Sequence, residues 1–166
     1  MYSLNAPVPG RVAALAGELF PELVGFESVR EDHSILLKRL GDDEFSHLAE
    51  RVRRELQGAP AVEARITGID YFATPPRGSS PVVYLTVESP GLLRLHEQLV
   101  DAFGAIDGLE GEDYVKHVTL ARGSGNVDAA RSLAEREVEP ITWTIRELRL
   151  WDAKHGEAAR TIRLPA

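Results

Sequence analysis

Cysteine is absent from this chain of 166 residues. The absence excludes disulfides, thiolate metal sites and cysteine nucleophiles. The sequence also contains no G-x-x-x-x-G-K-[ST] loop, no G-x-G-x-x-G motif and no H-E-x-x-H pair. Nothing therefore indicates an ATP or dinucleotide cradle. No stretch resembles a signal peptide, and no apolar run approaches the roughly 20 residues that span a membrane, so a cytoplasmic protein without membrane partners is expected.

Basic residues are outnumbered by acidic residues. The chain has 19 lysine and arginine residues against 26 aspartate and glutamate residues, which gives a net charge of −7 and a pI near 5.3. A broad electrostatic surface for duplex DNA or RNA is therefore not expected. A short RNA end or a small nucleotide is compatible with this balance. At this length we expect a single domain, residues 1–166, with a substantial hydrophobic core.

The most informative stretch is a predicted strand at residues 114–122, which is followed by a glycine-rich break. Because side chains alternate along a strand, His117 and Thr119 point to the same face. Arg122 lies at the end of the same strand. An imidazole, a hydroxyl and a guanidinium within a few residues suit a phosphate group. The residues of an isolated H-x-T sequence, however, more often lie on the solvent-exposed face of a half-exposed strand.

A second stretch, residues 32–41, has the same plan. It is a short apolar run with His33 near its start and Gly41 at its end. The two histidines lie about half the chain length apart. Two similar units, each with a histidine at the head of a strand, predict a two-lobed molecule with an internal pseudo-repeat.

Together the two stretches resemble the two-histidine (2H) phosphoesterase superfamily, which includes the 2′-5′ RNA ligases and the RNA 2′,3′-cyclic phosphodiesterases. That family carries two H-x-[TS]-hydrophobic motifs, one in each lobe. The sequence H-V-T-L at residues 117–120 matches the motif fully. The first motif departs from it, because Ile35 occupies the hydroxyl position and Ser34 stands one position too early. Either the strand bulges so that Ser34 turns into the groove, or that hydroxyl is missing.

The resemblance implies an α+β fold of two pseudo-symmetric lobes, each a small antiparallel sheet with helices packed outside, facing each other across a central groove. It implies a metal-independent phosphodiesterase that opens 2′,3′-cyclic phosphates at RNA ends or on nucleotides, with reverse 2′-5′ ligation as a further activity. His33 and His117 would then serve as general base and general acid, in either order, since the pKa of an imidazole is near neutrality. Thr119 would join them as a catalytic residue, and Ser34 and Arg122 would bind the substrate. No cofactor, no metal and a monomeric protein are expected.

Hydrophobic periodicity predicts the remaining elements. A first strand at residues 1–6 precedes a helix that stops near Pro21. An aspartate is expected to cap the helix that follows Gly41. Ser89 is expected to cap a helix that has Pro90 at its first position and runs to Gly104, and Asn126 is expected to cap a helix from 127 to about 138. The other predicted elements are strands at 61–72 and 82–87 and a hairpin of 141–151 with 159–164.

Several residues outside the motifs are also candidates for contact with the groove or the core. Strict alternation places Arg39 on the face of His33, although both Lys38 and Arg39 are expected to extend into water at the strand end. Arg77 lies in a loop that borders the groove in the resembled family. The acidic, glycine-rich residues 104–113 form a loop that could cover the groove as a mobile flap. Of the other histidines, His96 is expected to flank the core, with His47 and His155 at the surface.

Other functions remain open at this level. The irregular first motif is compatible with a module that binds RNA or a nucleotide without turnover. The same two histidines would also serve an enzyme acting on ADP-ribose 1″,2″-cyclic phosphate or on a 2′-5′ oligonucleotide. Two facing histidines could bind zinc, but no third ligand is evident near either motif. The histidines could also be incidental to any function.

Overall fold

The computed structural model describes residues 1–165, in which nine antiparallel strands form one sheet. Eight of them follow the order β7-β4-β5-β6-β3-β1-β8-β9, and β2 pairs with β6 beside this path. The strands are β1 (Tyr2–Pro7), β2 (Ser28–Val29), β3 (Ser34–Gly41), β4 (Val62–Phe72), β5 (Val82–Glu88), β6 (His117–Arg122), β7 (Ile141–Ile145), β8 (Glu147–Asp152) and β9 (Glu157–Arg163).

The sheet consists of two four-stranded halves joined at one place. The first half is β7-β4-β5-β6 and the second is β3-β1-β8-β9. Their inner strands, β6 and β3, share a single bridge between Ile35 and Val118. Both residues are fully buried, so the junction lies within the core. The predicted α+β class with antiparallel strands is confirmed, and the two predicted sheets are the halves of one continuous sheet.

Four α-helices accompany the sheet within the described residues: α1 (Gly10–Leu23), α2 (Phe45–Glu55), α3 (Pro90–Phe103) and α4 (Val127–Ala134), with a 3₁₀ turn at Gly111–Asp113. Two of them are capped as their sequences predict. The Ser89 hydroxyl accepts from the Leu92 amide, with Pro90 at the first helical position, and the Asn126 side chain accepts from the Ala129 amide. These caps satisfy amides that have no partner within the helix.

Three other helix ends differ from the prediction. Helix α1 continues through Pro21 to Leu23, because burial of Leu19 and Leu23 holds its last turn against the core. Helix α2 is capped by the Glu44 carboxylate and not by an aspartate. Helix α4 ends four residues earlier than residue 138, at Ala134. Among residues 1–165, no helix has both the length and the apolar surface required to cross a membrane.

Candidate active site

One cavity of about 710 Å³ is lined by all five residues predicted to be catalytic or to bind substrate. Its lining includes His33 and Ser34 from one half of the sheet and His117, Thr119 and Arg122 from the other. Further lining comes from the loop before β5 and from the loop before β6. The structure therefore places both histidines in one space that is accessible to solvent and formed by both halves.

His117 is the first residue of β6 and its ring is held in one orientation. Its Nδ1 lies 2.7 Å from the carbonyl oxygen of Val115, which can only accept, so Nδ1 carries the proton and donates. The rings of Phe72 and Tyr84 contact the imidazole edge to face. In the neutral ring, Nε2 is consequently the nitrogen that keeps a lone pair.

The pKa of His117 is lowered from its ordinary value. Burial of the ring is the largest cause, and the charges of Arg39 and Arg30 lower the pKa further, whereas the hydrogen bond to Val115 raises it. Arg39 belongs to β3, in the other half of the sheet, whereas Arg30 follows β2, which pairs with β6 itself. The imidazole is thus neutral at pH 7, which is the state that a general base requires.

Thr119 follows His117 on the same face of β6, as alternation predicts, and the irregularity at Leu120 brings Arg122 to that face as well. Thr119 lines the cavity, but the guanidinium of Arg122 is bound to the loop before β5, where it donates to the carbonyls of Ser79 and Arg77. Gly78, between them, has a φ of +79°, and a Cβ there would lie 2.5 Å from an Arg122 nitrogen. Only glycine therefore allows the loop to hold Arg122 in this way.

The first motif is displaced by one residue relative to the second. An irregularity near the end of β3 leaves Leu40 without an opposite residue. The bulges that matter for the alignment are at Leu37 in β3 and Leu120 in β6, neither of which has an opposite partner. These bulges lie three residues after Ser34 and three residues after His117. The bridge between Ile35 and Val118 gives the same alignment, since each is one residue past Ser34 or His117. Two independent features of the pairing therefore make Ser34, and not His33, the counterpart of His117.

The alignment extends through both strands, whose first six residues share one pattern of burial. Leu36 is the counterpart of Thr119, and Arg39 is the counterpart of Arg122. Ser34 and Leu36 line the cavity, while Ile35 is fully buried. Ser34 therefore lines the cavity, but no bulge turns it there, because the unpaired Leu37 lies downstream of the motif. The strand position equivalent to Thr119 carries Leu36, so a hydroxyl is missing at that position.

His33 lies immediately before β3 and reaches the cavity from outside the strand. Its pKa is lowered, first by partial burial and then by Arg30, while the neighbouring carboxylate of Asp32 opposes the shift. The ring is half-buried. His33 is therefore available to a ligand in the cavity, although it does not occupy the strand position equivalent to that of His117.

Arginines are concentrated in this cavity despite the acidic composition of the chain. Besides Arg122, its lining includes four of them: Arg30, Arg39, Arg77 and Arg149. The sequence analysis named Arg39 and Arg77 but missed Arg30 and Arg149. No local pattern marks the latter two, because only the fold brings β8 and the segment before β3 to the same space. Such a cluster favours an anionic ligand.

The expectation that Lys38 extends into water is wrong. Its side chain is 2% exposed, and its ammonium lies 2.6 Å from Glu110, whose side chain is 1% exposed. Glu110 belongs to the loop that the sequence predicts as a mobile flap. That loop contributes Gly108, Leu109 and Asp113 to the cavity lining, but the buried ion pair anchors it to β3.

His96 is also more deeply buried than predicted, with no exposed surface. Its Nδ1 donates to the Leu37 carbonyl at 2.7 Å, and its Nε2 accepts from the Gly111 amide at 3.0 Å. Its ring stacks on Tyr114, whose hydroxyl donates to the Leu36 carbonyl. These bonds satisfy the backbone at the Leu37 bulge, where regular pairing is interrupted, and they require a neutral imidazole.

We expect the stability of the protein to decrease as the pH falls below about 6.5. Burial, the largest cause, lowers the pKa of His96, so the folded state takes up a proton at lower pH than the unfolded state, whose pKa is near 6.5. Stability is therefore complete above that value and is lost as the unfolded state gains protons. Thermal unfolding of the wild type between pH 8 and 5 measures the slope. His96→Gln should make the slope shallower without abolishing it, because the pKa values of His33 and His117 are also lowered. His47→Gln, on an exposed helix face, should leave the slope unchanged. Equal slopes for both variants would refute this role of His96.

Within residues 1–165, no three or more histidine, cysteine, aspartate or glutamate side chains are placed together so that they could hold a metal ion. The cavity lining supplies imidazoles, hydroxyls and guanidinium groups, with the carboxylates of Asp32 and Asp113. Those groups can exchange protons and can bind a phosphate.

Comparison with known proteins gives a family and a fold. The family model described as the 2′-5′ RNA ligase superfamily matches residues 34–157. That range starts at Ser34, the first residue of β3, and leaves His33 outside. No curated protein sequence matches the chain significantly.

Solved structures resemble the chain over nearly its whole length. A protein of Thermus thermophilus has a TM-score of 0.68 and 22% identity, with 98% of this chain and 97% of that chain covered. Escherichia coli LigT in complex with NADP+ has a TM-score of 0.66 and 15% identity, with coverage of 99% and 97%. Usb1 of Kluyveromyces marxianus has a TM-score of 0.63 and 13% identity, with the same coverage. At these identities the likeness establishes the fold.

Proposed function

This chain belongs to the 2′-5′ RNA ligase superfamily, and from that premise we propose that it is a metal-independent phosphodiesterase that opens 2′,3′-cyclic phosphates at RNA ends or on nucleotides. The family membership predicted from the two motifs is confirmed. The observation that carries the proposal is the single cavity that contains His33, His117 and five arginines. Nucleotides are compatible with such a site, and E. coli LigT has been crystallised with NADP+, ATP and 3′-AMP.

The proposed reaction consumes one water molecule. His117 acts as the general base: its Nε2 accepts a proton from the water, whose oxygen then bonds to phosphorus. The bond between phosphorus and one ribose oxygen breaks on the opposite side, roughly in line with the attack. The products are a ribose phosphomonoester and a free ribose hydroxyl. The low pKa of His117 supports this role, as does the hydrogen bond that commits Nδ1 to Val115.

His33 is assigned as the general acid that protonates the departing oxygen. It is less enclosed than His117, and although burial lowers its pKa, the carboxylate of Asp32 opposes that shift and favours the protonated form. An anionic substrate raises the pKa of a nearby imidazole and would favour that form further. The hydroxyls of Thr119 and Ser34 donate to the non-bridging oxygens of the phosphate. By microscopic reversibility, the same groups could join a cyclic phosphate to a 5′-hydroxyl and form a 2′-5′ linkage.

The test is hydrolysis of 2′,3′-cyclic AMP and of an oligoribonucleotide ending in a 2′,3′-cyclic phosphate, followed by chromatography in excess chelator. We expect the wild type to open both rings at a rate that the chelator does not change. His33→Ala should lower kcat by about 10²- to 10⁴-fold, the contribution typical of a general acid. His47→Ala, on the exposed face of α2, serves as the matched control. Failure of the wild type to open any cyclic phosphodiester, or full activity of His33→Ala, would contradict the proposal.

The displaced first motif favours a second candidate, a nucleotide-binding module without turnover. Ser34 and Leu36 occupy the strand positions that His117 and Thr119 occupy in the other half, so only one half carries the complete motif. Such a module would bind 3′-AMP but leave cyclic phosphates intact. A substrate panel that includes ADP-ribose 1″,2″-cyclic phosphate and a 2′-5′ oligonucleotide separates it from a related enzyme with another substrate.

A further inference from the structure

A buried ion pair holds the backbone of Arg39 from both sides. The ammonium of Lys38 and the carboxylate of Glu110 are 2.6 Å apart. The second carboxylate oxygen of Glu110 accepts from the Arg39 amide at 2.9 Å, and the ammonium of Lys38 donates to the Arg39 carbonyl at 2.7 Å. Glu110 also accepts from the amide of Ile106, which attaches the loop before β6 to the same point. Arg39 is therefore fixed by groups that lie on its own strand and on that loop.

Stability alone does not account for this arrangement. Removing two charges from water is costly, and well-packed apolar residues of similar size are often as stabilising as a buried ion pair, or more so. The hydrogen bonds of this pair converge on one residue, Arg39, whose side chain lines the cavity. The pair is therefore best explained by its effect on Arg39, whose backbone it fixes in position.

The guanidinium of Arg39 is available to a ligand, in contrast to that of its counterpart. Arg122, at the equivalent position of β6, is bound to two loop carbonyls. For Arg39, the structure shows no side-chain hydrogen bond or ion pair to any of residues 1–165, although the pKa of Arg39 is lowered, chiefly by burial. Its charge acts on His117, whose pKa it helps to lower. Both residues line the same cavity, and they come from opposite halves of the sheet.

We propose that Arg39 binds the phosphate of the substrate opposite His117 and that the Lys38–Glu110 pair is the device that positions it. The inference rests on the proposed function for the identity of the ligand. It also accounts for the first motif: Leu36 has no hydroxyl to donate where Thr119 donates in the other half, and a free guanidinium supplies donors and positive charge in its place. Such donors stabilise the negative charge that develops on the phosphate oxygens.

Binding of 3′-AMP, followed by calorimetry, tests the role of Arg39 without any need for turnover. We expect Arg39→Met to weaken binding by about 10- to 100-fold, the value of one or two charge-assisted hydrogen bonds. Arg39→Lys should restore part of the loss, since it keeps the charge but not the planar fork. Arg94→Met, on an exposed face of α3, should bind as the wild type does. Equal affinities for Arg39→Met and Arg94→Met, or no binding by the wild type, would overturn the proposal.

The proposed function can fail separately, because a wild type that binds 3′-AMP through Arg39 but opens no cyclic phosphate would retain this inference and lose only the catalytic assignment. The positioning role has its own readout, the titration of His117 followed by NMR. Arg39→Met should raise the pKa of His117, since the arginine lowers it. Lys38→Met/Glu110→Leu, in which neither charge remains, should also raise the pKa of His117 and should weaken 3′-AMP binding. If this folded double variant keeps the wild-type pKa and affinity, the pair has no positioning role.

Discussion

Replacing His117 with alanine is expected to lower kcat for opening of 2′,3′-cyclic AMP by about 10²- to 10⁴-fold. The variant removes an imidazole that lines the cavity and whose Nε2 keeps its lone pair. Neither Phe72 nor Tyr84, which contact its ring, can accept a proton in its place. Because burial lowers the pKa of His117, the wild-type enzyme should keep its base neutral to below pH 6.5 and lose kcat/KM as the pH falls through that lowered value. Steady-state kinetics from pH 5 to 8 measure both effects.

The matched control is His47→Ala, which removes an exposed imidazole and should leave kcat unchanged. Thermal unfolding of both variants shows whether the loss of activity reflects chemistry or folding. His117→Ala with wild-type kcat would mean that the base lies elsewhere. An acid limb that stays in place in His117→Ala would mean that another group produces it.

The second large effect concerns stability. Glu110→Gln should lower the free energy of unfolding by about 3–5 kcal/mol, because it leaves the buried ammonium of Lys38 without its counter-charge. That loss is a large part of the 5–15 kcal/mol by which domains are typically stable. Lys38→Met/Glu110→Gln should recover most of it, since neither buried charge then remains. Urea unfolding monitored by circular dichroism measures all three proteins.

Glu112→Gln supplies the control for this experiment. Glu112 lies two residues further along the same loop and is exposed, so its neutralisation should change stability by no more than a few tenths of a kcal/mol. If Glu110→Gln were as stable as Glu112→Gln, the pair would make no contribution to folding. If the double variant were less stable than Glu110→Gln, the cost would lie in lost packing or hydrogen bonds and not in an unpaired charge.

Local patterns determined much of this protein from the sequence alone. Alternation along β6 placed His117 and Thr119 on one face, because a strand has a period of two whatever surrounds it. The Ser89-Pro90 pair marked the start of α3, since a capping hydroxyl and a fixed φ act within one turn. The H-V-T-L sequence indicated the family, and the family gave the α+β fold. These features depend on residues a few positions apart.

The tertiary structure decided the rest. The register of β3 against β6 turned Ser34 and Leu36 into the cavity and left His33 just outside the strand, because that register is set by pairing between distant segments. The partner of Lys38 is Glu110, 72 residues away, so no local pattern could show that this lysine is buried. The convergence of arginines on one cavity likewise depends on which strands meet. A sequence pattern specifies the face on which a side chain lies, but only long-range packing specifies what lies opposite that face.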